Sequence, residues 1–161
     1  LLKGKGRMPV AIMAMGIVFN LLNGMMQAGG LFYFAPEGLY ADGWAYLLKP
    51  HALLGIILFF AGMFVNLHSD YVIRHLRRPG DTKHYLPGKG LYRYVTSANY
   101  FGELVEWTGF AILTASPAAW VFVWWTFANL VPSAHPPHRR YREEFGDEAV
   151  GKRKRIIPFL Y

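Results

Sequence analysis

The stretch NYFGELVEWTGFAILTASPAAWVFVWWTFANL, residues 99–130, decides how this chain folds. After Glu106 it contains no charged residue, and Pro117 follows Ser116 near its middle. A proline is tolerated in the first turn of a helix but breaks a helix interior, so the stretch predicts two apolar helices joined by a tight turn. It nevertheless contains Glu103 and Glu106 near its start. Ionisable groups are costly inside a membrane helix, so such carboxylates normally face a cavity, a partner or a ligand.

The rest of the chain shares this apolar character. Of its 161 residues, 53% are hydrophobic and 17% aromatic, and the runs 8–36, 50–69 and 107–134 contain no Asp, Glu, Lys or Arg. About 18 apolar residues are enough to cross a hydrocarbon layer of ~30 Å. The sequence therefore predicts an all-α, multi-pass integral membrane protein. Its four predicted transmembrane helices are 8–32, 50–72, 97–115 and 117–134.

The basic residues indicate the orientation of this bundle. If the chain starts in the cytoplasm, every Lys and Arg except Lys49 lies on the cytoplasmic side, as the positive-inside rule requires. We expect both ends to be cytoplasmic, in the endoplasmic reticulum of a eukaryote or the inner membrane of a bacterium. Residues 135–161 are then a cytoplasmic tail of a single membrane domain, 1–161. Because the chain begins with Leu1 and Leu2, we expect it to be part of a longer protein.

Several kinds of site are excluded or disfavoured. The absence of cysteine excludes disulfides, zinc–thiolate sites and cysteine nucleophiles. His135 and His138 form an H-x-x-H pair, but the prolines between them predict an irregular backbone and no carboxylate stands at ligand spacing, so no metal site is predicted. The KRKR run at 152–155, next to membrane helices, favours an anionic lipid surface over nucleic acid.

Polar residues follow one face on each of three predicted helices. An α-helix advances about 100° per residue, so positions 3, 4, 7, 8 or 11 apart share a face. Such spacings relate Asn20, Asn23 and Gln27 in the first helix, Asn66, Asp70, Arg74 and Arg77 in the second, and Asn99, Glu103 and Glu106 in the third.

These faces predict two kinds of contact. The amides of the first helix, Asn20, Asn23 and Gln27, are typical of interhelical hydrogen bonds. Asn23 and Gln27, together with Glu106 of the third helix, are also candidates for the substrate side of the site. The acids and arginines of the second and third helices predict a pocket for an anionic ligand with hydroxyl groups. Guanidinium groups match phosphates, while carboxylates and carboxamides bind hydroxyls.

Long segments of the chain resemble the C-terminal domain of the steroid 5α-reductases (3-oxo-5α-steroid 4-dehydrogenases). They are NLHSDYVIRHLRRPGD (66–81), YLPGKGLYRYVTSANYFGELVEWTGFAI (85–112) and RKRIIPFLY (153–161), with NGMMQ (23–27) and DGW (42–44) also similar. The resemblance implies a seven-helix membrane reductase of which this chain supplies the last four helices, with the remaining N-terminal helices as partners. It implies NADPH as hydride donor and a 3-oxo-4-ene steroid, or a similar enone lipid, as acceptor.

Residue by residue, the resemblance also implies a cofactor site. Its implied contacts are Asn66, Asp70, Arg77, Tyr85, Asn99, Glu103 and Tyr141, with Arg74, His138 and Arg153 as further candidates. The family's steroid-polarising tyrosine and acid come from earlier helices, so no catalytic acid is assigned to this chain. Two departures affect the tail: Ser133 stands where the family commonly has arginine, and Pro136 and Pro137 replace polar residues.

Other functions remain open at this point. No GxGxxG motif follows a predicted strand, so a Rossmann site is not predicted. A methyltransferase of the isoprenylcysteine carboxyl type, using S-adenosylmethionine, has less need of the basic loop 73–96. Polyprenol or enoyl lipid reductases share this kind of domain. A transporter or lipid-binding subunit would leave the acid–arginine cluster without an electron donor to bind.

Overall fold

The computed structural model describes residues 9–77, 80–81 and 83–161, and this part of the chain is helical, with one isolated bridge between Val95 and Lys154 as its only strand-like pairing. The start of the first predicted helix at residue 8 lies outside the described residues, as does Arg78. Short 3-10 helices occupy Gly43–Leu48 and Gly90–Arg93. The α-helices are α1 (Val10–Phe32), α2 (Pro50–Arg74), α3 (Ala98–Thr114), α4 (Pro117–Ser133) and α5 (His135–Val150).

Helices α1 to α4 occupy the four predicted apolar segments, and each end lies within two residues of its predicted position. By length and composition, α1 and α2 are candidate membrane spans. Helices α3 and α4 have 17 residues each, about 25 Å of helix. The break between them falls where the sequence predicted it, because Pro117 starts α4.

Helices α2 and α3 pack backbone against backbone along a row of glycines. Gly55 and Gly62 on α2 face Gly109 and Gly102 on α3. A methyl group on Gly62 would lie 2.6 Å from the Gly102 carbonyl oxygen, and one on Gly109 would lie 2.8 Å from the Gly55 carbonyl oxygen. Helices approach this closely only where side chains are absent. The sequence analysis missed this contact, although the seven-residue spacing of glycines on both predicted helices signals it.

Helix α1 packs mainly on α4. The ring of Phe19 stacks on that of Trp125 with centroids 5.9 Å apart, and Gly30 lies against Ala118. Most other side chains of α1 are exposed apolar groups, Met15 and Met25 among them. An apolar helix with so little of its surface covered has faces available to further helices or to lipid.

The connection between α1 and α2 is held to the far end of α3 by two tyrosines. The hydroxyl of Tyr46 donates to the Leu113 carbonyl at 2.8 Å, and that of Tyr40 donates to the Thr114 carbonyl. The two rings meet edge to face with centroids 4.9 Å apart. Carbonyls at the end of α3 that lack helical partners are thereby satisfied.

The prediction of an irregular backbone between His135 and His138 was wrong. Pro136 and Pro137 lie in the first turn of α5, where the amide that proline lacks has no helical partner in any case. The helix is kinked at Gly146, whose φ of 81° and ψ of 161° are not helical.

After α5 the chain folds back and pairs with the segment that precedes α3. The Lys154 amide donates to the Tyr94 carbonyl at 2.8 Å, and the Thr96 amide donates to the Lys154 carbonyl at 2.9 Å. Ile156 is fully buried in a cluster with Leu104 and Ala134. The predicted tail is therefore a packed part of the fold, and its end is tied to the start of α3.

Candidate cofactor and substrate site

A cavity of about 590 Å³ lies between the end of α2, the loop that follows it and the start of α5. Four residues of the predicted cofactor site line it: Arg74, Arg77, Tyr85 and Tyr141. Its other lining residues are Ile73, Leu76, His84, Pro136, Pro137, Arg140 and Glu144. This volume is within the usual range of small-molecule and cofactor sites.

The charges that line this cavity favour an anionic ligand. Three guanidinium groups, of Arg74, Arg77 and Arg140, face one carboxylate, that of Glu144. Glu144 is already paired, at 3.1 Å from the Arg140 Nε and 2.9 Å from the His84 Nδ1. Hydrogen bonds with His84 and then Arg140 hold the pKa of Glu144 below its usual value. The carboxylate therefore stays ionised at neutral pH and holds Arg140 against the cavity wall.

Two tyrosine hydroxyls in this region remain protonated at neutral pH. Burial raises the pKa of Tyr141, with Glu144 adding to the shift. Burial raises the pKa of Tyr92 well above its usual range, with Tyr141 and then Asp70 contributing and the neighbouring backbone N–H of Asn99 opposing the shift. Tyr92 is almost fully buried. The sequence analysis missed Tyr92, since no spacing in its loop distinguishes it from Tyr94.

The polar faces of α2 and α3 meet beside the glycine contact. Asn66, Asp70, Asn99 and Glu103 are all partly buried. The Asn66 backbone lies directly against Gly102, and the carboxyl groups of Asp70 and Glu103 are within electrostatic reach of each other. Asp70 is also 3.6 Å from Arg74, which lines the cavity. Asp70 therefore links the polar faces of α2 and α3 to one arginine of the cavity, which Asn66, Asn99 and Glu103 do not line themselves.

Glu103 also lines a groove of about 460 Å³ between α1, α3 and α4. Most of the groove wall is apolar and aromatic, and among the described lining residues Glu103 is the one with an ionisable side chain. The remaining lining residues are Ile12, Met15, Gly16, Phe19, Phe122, Trp125, Thr126, Asn129 and Leu130. Such a groove fits a flat apolar molecule with few polar groups. Glu103 therefore lies between the arginine-lined region and an apolar one.

Comparison with known proteins identifies the family. The family model described as 3-oxo-5-alpha-steroid 4-dehydrogenase matches residues 6–161. This chain belongs to that family. It is 42% identical over 161 residues to 3-oxo-5-alpha-steroid 4-dehydrogenase 1 of Macaca fascicularis, covering all of this chain and 59% of the relative.

Two further members of the family are also similar to this chain over nearly its whole length. The chain is 41% identical over 161 residues to 3-oxo-5-alpha-steroid 4-dehydrogenase 1 of Homo sapiens, again covering the whole chain and 60% of the relative. It is 35% identical over 162 residues to steroid 5-alpha-reductase DET2 of Arabidopsis thaliana, covering 98% of the chain and 59% of that protein. The chain therefore spans about three fifths of the length of these steroid 5α-reductase relatives.

Two of the family positions carried over from the resemblance lie apart from the arginine-lined cavity. His138 and Arg153 line a second cavity, on the other side of the start of α5. The His138 Nδ1 is 3.1 Å from the Thr96 hydroxyl, and the Arg153 guanidinium donates to the Pro87 carbonyl at 2.9 Å. Burial, followed by the charges of Arg142 and Arg155, lowers the pKa of His138, so its imidazole is neutral at neutral pH.

The substrate-side candidates lie in helix contacts. The Gln27 side-chain amide donates to the Ala118 carbonyl at 3.3 Å, which joins α1 to α4, and to the Asn23 Oδ1 of its own helix at 3.2 Å. Glu106 is partly buried on α3, one turn beyond Glu103, where its backbone lies against Gly62. The interhelical hydrogen bonding that the sequence analysis offered as the alternative to a substrate role is therefore seen for Gln27, while Asn20 donates to the Gly16 carbonyl of its own helix.

Proposed function

We propose that this chain is the cofactor-binding and part of the substrate-binding region of a membrane-embedded, NADPH-dependent reductase. The enzyme reduces the C4–C5 double bond of a 3-oxo-4-ene steroid, or of a similar enone lipid, to the 5α product. Membership of the 3-oxo-5-alpha-steroid 4-dehydrogenase family supports this reaction. The observation that carries it is the position of Glu103, because this residue lines an apolar groove and also neighbours Asp70 beside the arginines.

The chemistry of the first cavity fits NADPH. The cofactor carries a pyrophosphate and a 2′-phosphate, and the guanidinium groups of Arg74, Arg77 and Arg140 would hold these phosphates. The Tyr141 hydroxyl would donate to a phosphate or ribose oxygen, whereas the Tyr85 hydroxyl, which donates to Asp81 at 2.7 Å, would accept from a ribose hydroxyl. We assign the ribose hydroxyls and the carboxamide to the remaining polar residues: Asn66, Asp70, Asn99 and Glu103. His138 faces the second cavity and receives no cofactor contact in this proposal.

When bound, the cofactor supplies the hydride, and the residues of this chain orient it and keep water away. The aromatic wall formed by Phe19, Phe122 and Trp125 would keep water from a substrate bound against it, which would strengthen any polar contact with that substrate. Glu103 and Asn99, next to this wall, would orient the reactive end of the cofactor toward the groove. An acid that polarises the substrate carbonyl is assigned to the other part of the protein, and none to this chain.

The membrane arrangement is part of the same proposal. Two candidate membrane spans and two further apolar helices support four transmembrane helices with both ends in the cytoplasm. The exposed apolar faces of α1 would pack against preceding helices of a seven-helix protein. By this proposal the enzyme lies in the endoplasmic reticulum of a eukaryote or in the inner membrane of a bacterium.

The arginine-lined cavity and the apolar groove also distinguish this function from the alternative functions. A methyltransferase that uses S-adenosylmethionine binds no phosphate and would make no use of three arginines around one cavity. A polyprenol or enoyl lipid reductase would use the same cofactor cavity and differ in what enters the groove. The choice between steroid and other enone lipids therefore belongs to the experiment.

The test is NADPH oxidation by the purified full-length protein, measured with a panel of 4-ene-3-one steroids and with polyprenal and enoyl lipids. Arg77→Ala should raise the NADPH dissociation constant about 10- to 100-fold, the loss expected for a hydrogen bond to a charged phosphate. Asn99→Ala should raise it about 2- to 10-fold, because its amide is assigned to neutral groups of the cofactor. Steroid binding should stay largely intact in both. Lys83→Ala is the matched control, since Lys83 is an exposed basic residue of the same loop that does not line the cavity.

Two outcomes would defeat parts of this proposal. If NADPH affinity is the same in wild type, Arg77→Ala and Asn99→Ala, the assigned cofactor site is wrong. If no 4-ene-3-one steroid stimulates NADPH oxidation while another enone lipid does, the substrate assignment is wrong and the cofactor site stands.

A further inference from the structure

The second cavity, of about 510 Å³, is strongly basic. It is lined by His138, Arg142, Gly151, Lys152, Arg153, Lys154, Arg155, Leu160 and Tyr161. The turn at Gly151, with a φ of 60°, reverses the chain after α5. Pairing of Lys154 with Tyr94 and Thr96 then holds the KRKR run in place along the cavity. The cavity is therefore built by the fold and is not a charge run on a loose tail.

Part of the charge in this cavity has no counterpart in the protein. The Arg142 Nε is 2.7 Å from Asp147, and the Arg155 guanidinium donates to the Tyr161 hydroxyl at 2.9 Å and lies over its ring. Within the part of the chain that the structure describes, Lys152 and Lys154 pair with no carboxylate. The excess positive charge favours an anionic ligand.

Apolar side chains project beside these bases. Phe159 and Leu160 are each 77% exposed, and Leu160 lines the cavity itself. Phe159 has a φ of 67°, an uncommon conformation for a residue with a side chain. Exposed apolar residues next to a basic cluster are typical of a surface that binds the interface of a membrane with anionic lipids.

An apolar groove lies next to the basic cavity. Ile157 lines a groove of about 260 Å³ between α2, α3 and α4. Its other walls are Leu58, Phe101, Leu104, Val105, Thr108, Val123 and Phe127. Ile157 is two residues from Arg155, and two extended residues span at most about 7 Å. A ligand with a phosphate at one end and a hydrocarbon chain at the other could occupy both.

We propose that the segment Gly151–Tyr161 binds one anionic phospholipid from the adjoining leaflet. The phosphate lies in the basic cavity near Lys152 and Lys154, and an acyl chain lies in the groove against Ile157 and Phe127. A bound lipid of this kind fixes the end of the chain, and through Ile156 the start of α3, to the membrane. This inference does not rest on the proposed reductase activity, since its residues lie apart from the arginine-lined cavity.

The test uses the purified full-length protein with an equimolar mixture of phosphatidic acid and phosphatidylcholine, and native mass spectrometry counts the lipids that stay bound. We expect one retained phosphatidic acid in preference to phosphatidylcholine. The double variant Lys152→Ser/Lys154→Ser should reduce that preference about tenfold. The double variant Lys83→Ser/Lys89→Ser is the control, because it removes the same charge from exposed residues outside the cavity.

A second arm distinguishes a lipid from a soluble phosphate. Phe127→Ala should weaken retention of long-chain phosphatidic acid and leave the binding of glycerol 3-phosphate unchanged. Equal retention of the two lipids, or equal effects of the two double variants, would overturn the proposal. So would displacement of phosphatidic acid by equimolar glycerol 3-phosphate, which would indicate a soluble ligand, or by NADPH, which would make the cavity part of the cofactor site.

Discussion

Gly62 of α2 and Gly102 of α3 lie backbone to backbone, so that a methyl group on either would fall 2.6 to 2.8 Å from the carbonyl oxygen of the other. Asn66 follows Gly62 by one turn of α2, and Glu103 follows Gly102 directly on α3. The close approach of these two glycines therefore sets the distance between the polar faces to which we assign the cofactor.

Gly62→Ala should destabilise the protein by about 1 to 3 kcal/mol, because the added methyl group forces the two helices apart. The polar faces would separate with them, so NADPH affinity should fall as well. Thermal unfolding in detergent and NADPH titration measure the two effects. Gly24→Ala is the control, since a methyl group there meets nothing within 4 Å. Equal unfolding temperatures for Gly62→Ala and Gly24→Ala would show that α2 and α3 can move apart without loss of stability.

Ile156→Ala should cost about 2 to 5 kcal/mol, because this side chain is fully buried between α3 and α4. Leu160→Ala, four residues later and largely exposed, should change the unfolding midpoint in detergent little. The same midpoint for wild type and Ile156→Ala would mean that the returning segment does not stabilise the helices.

Tyr92→Phe should remove a buried hydroxyl that lies next to the backbone N–H of Asn99 at the start of α3. A buried donor left without a partner costs about 1 to 3 kcal/mol, and denaturant unfolding should record a loss of that size. Tyr94→Phe changes an exposed ring nearby and serves as the control. If both variants unfold alike, the Tyr92 hydroxyl contributes nothing measurable to stability.

His138 should make stability depend on pH. Burial, and then Arg142 and Arg155, lower its pKa below 6.5 in the folded protein. The unfolded chain therefore binds more protons as the pH falls below 6.5, and the stabilisation present above that pH is lost as the pH drops through the folded pKa. Between about pH 7 and pH 5 the unfolding midpoint of wild type should fall more than that of His138→Gln. His75→Gln, at an exposed position, should follow wild type, and parallel curves for all three proteins would contradict the assignment.

Arg140→Ala should weaken NADPH binding about 10-fold or more, because Arg140 lines the first cavity beside Arg77. Arg139→Ala removes the same charge from the neighbouring residue, which is exposed and outside the cavity. Isothermal titration with NADPH compares the two variants directly. Equal affinities would show that Arg140 acts through overall charge and not by contact.

The sequence by itself determined the helices α1 to α4 and the polar faces on α2 and α3. Apolar run length, the helical period and the break at Pro117 are local properties, so they can be recognised from the sequence without knowledge of the tertiary structure. Only the tertiary structure decided which basic and aromatic residues belong together. Arg140 lines the same cavity as Arg77, whereas His138 and Tyr141 line different cavities. Lys154 pairs with Thr96, which lies 58 residues earlier in the sequence. These relations depend on the fold-back after α5, which brings together residues far apart in the sequence, and no periodic pattern along the chain signals such contacts.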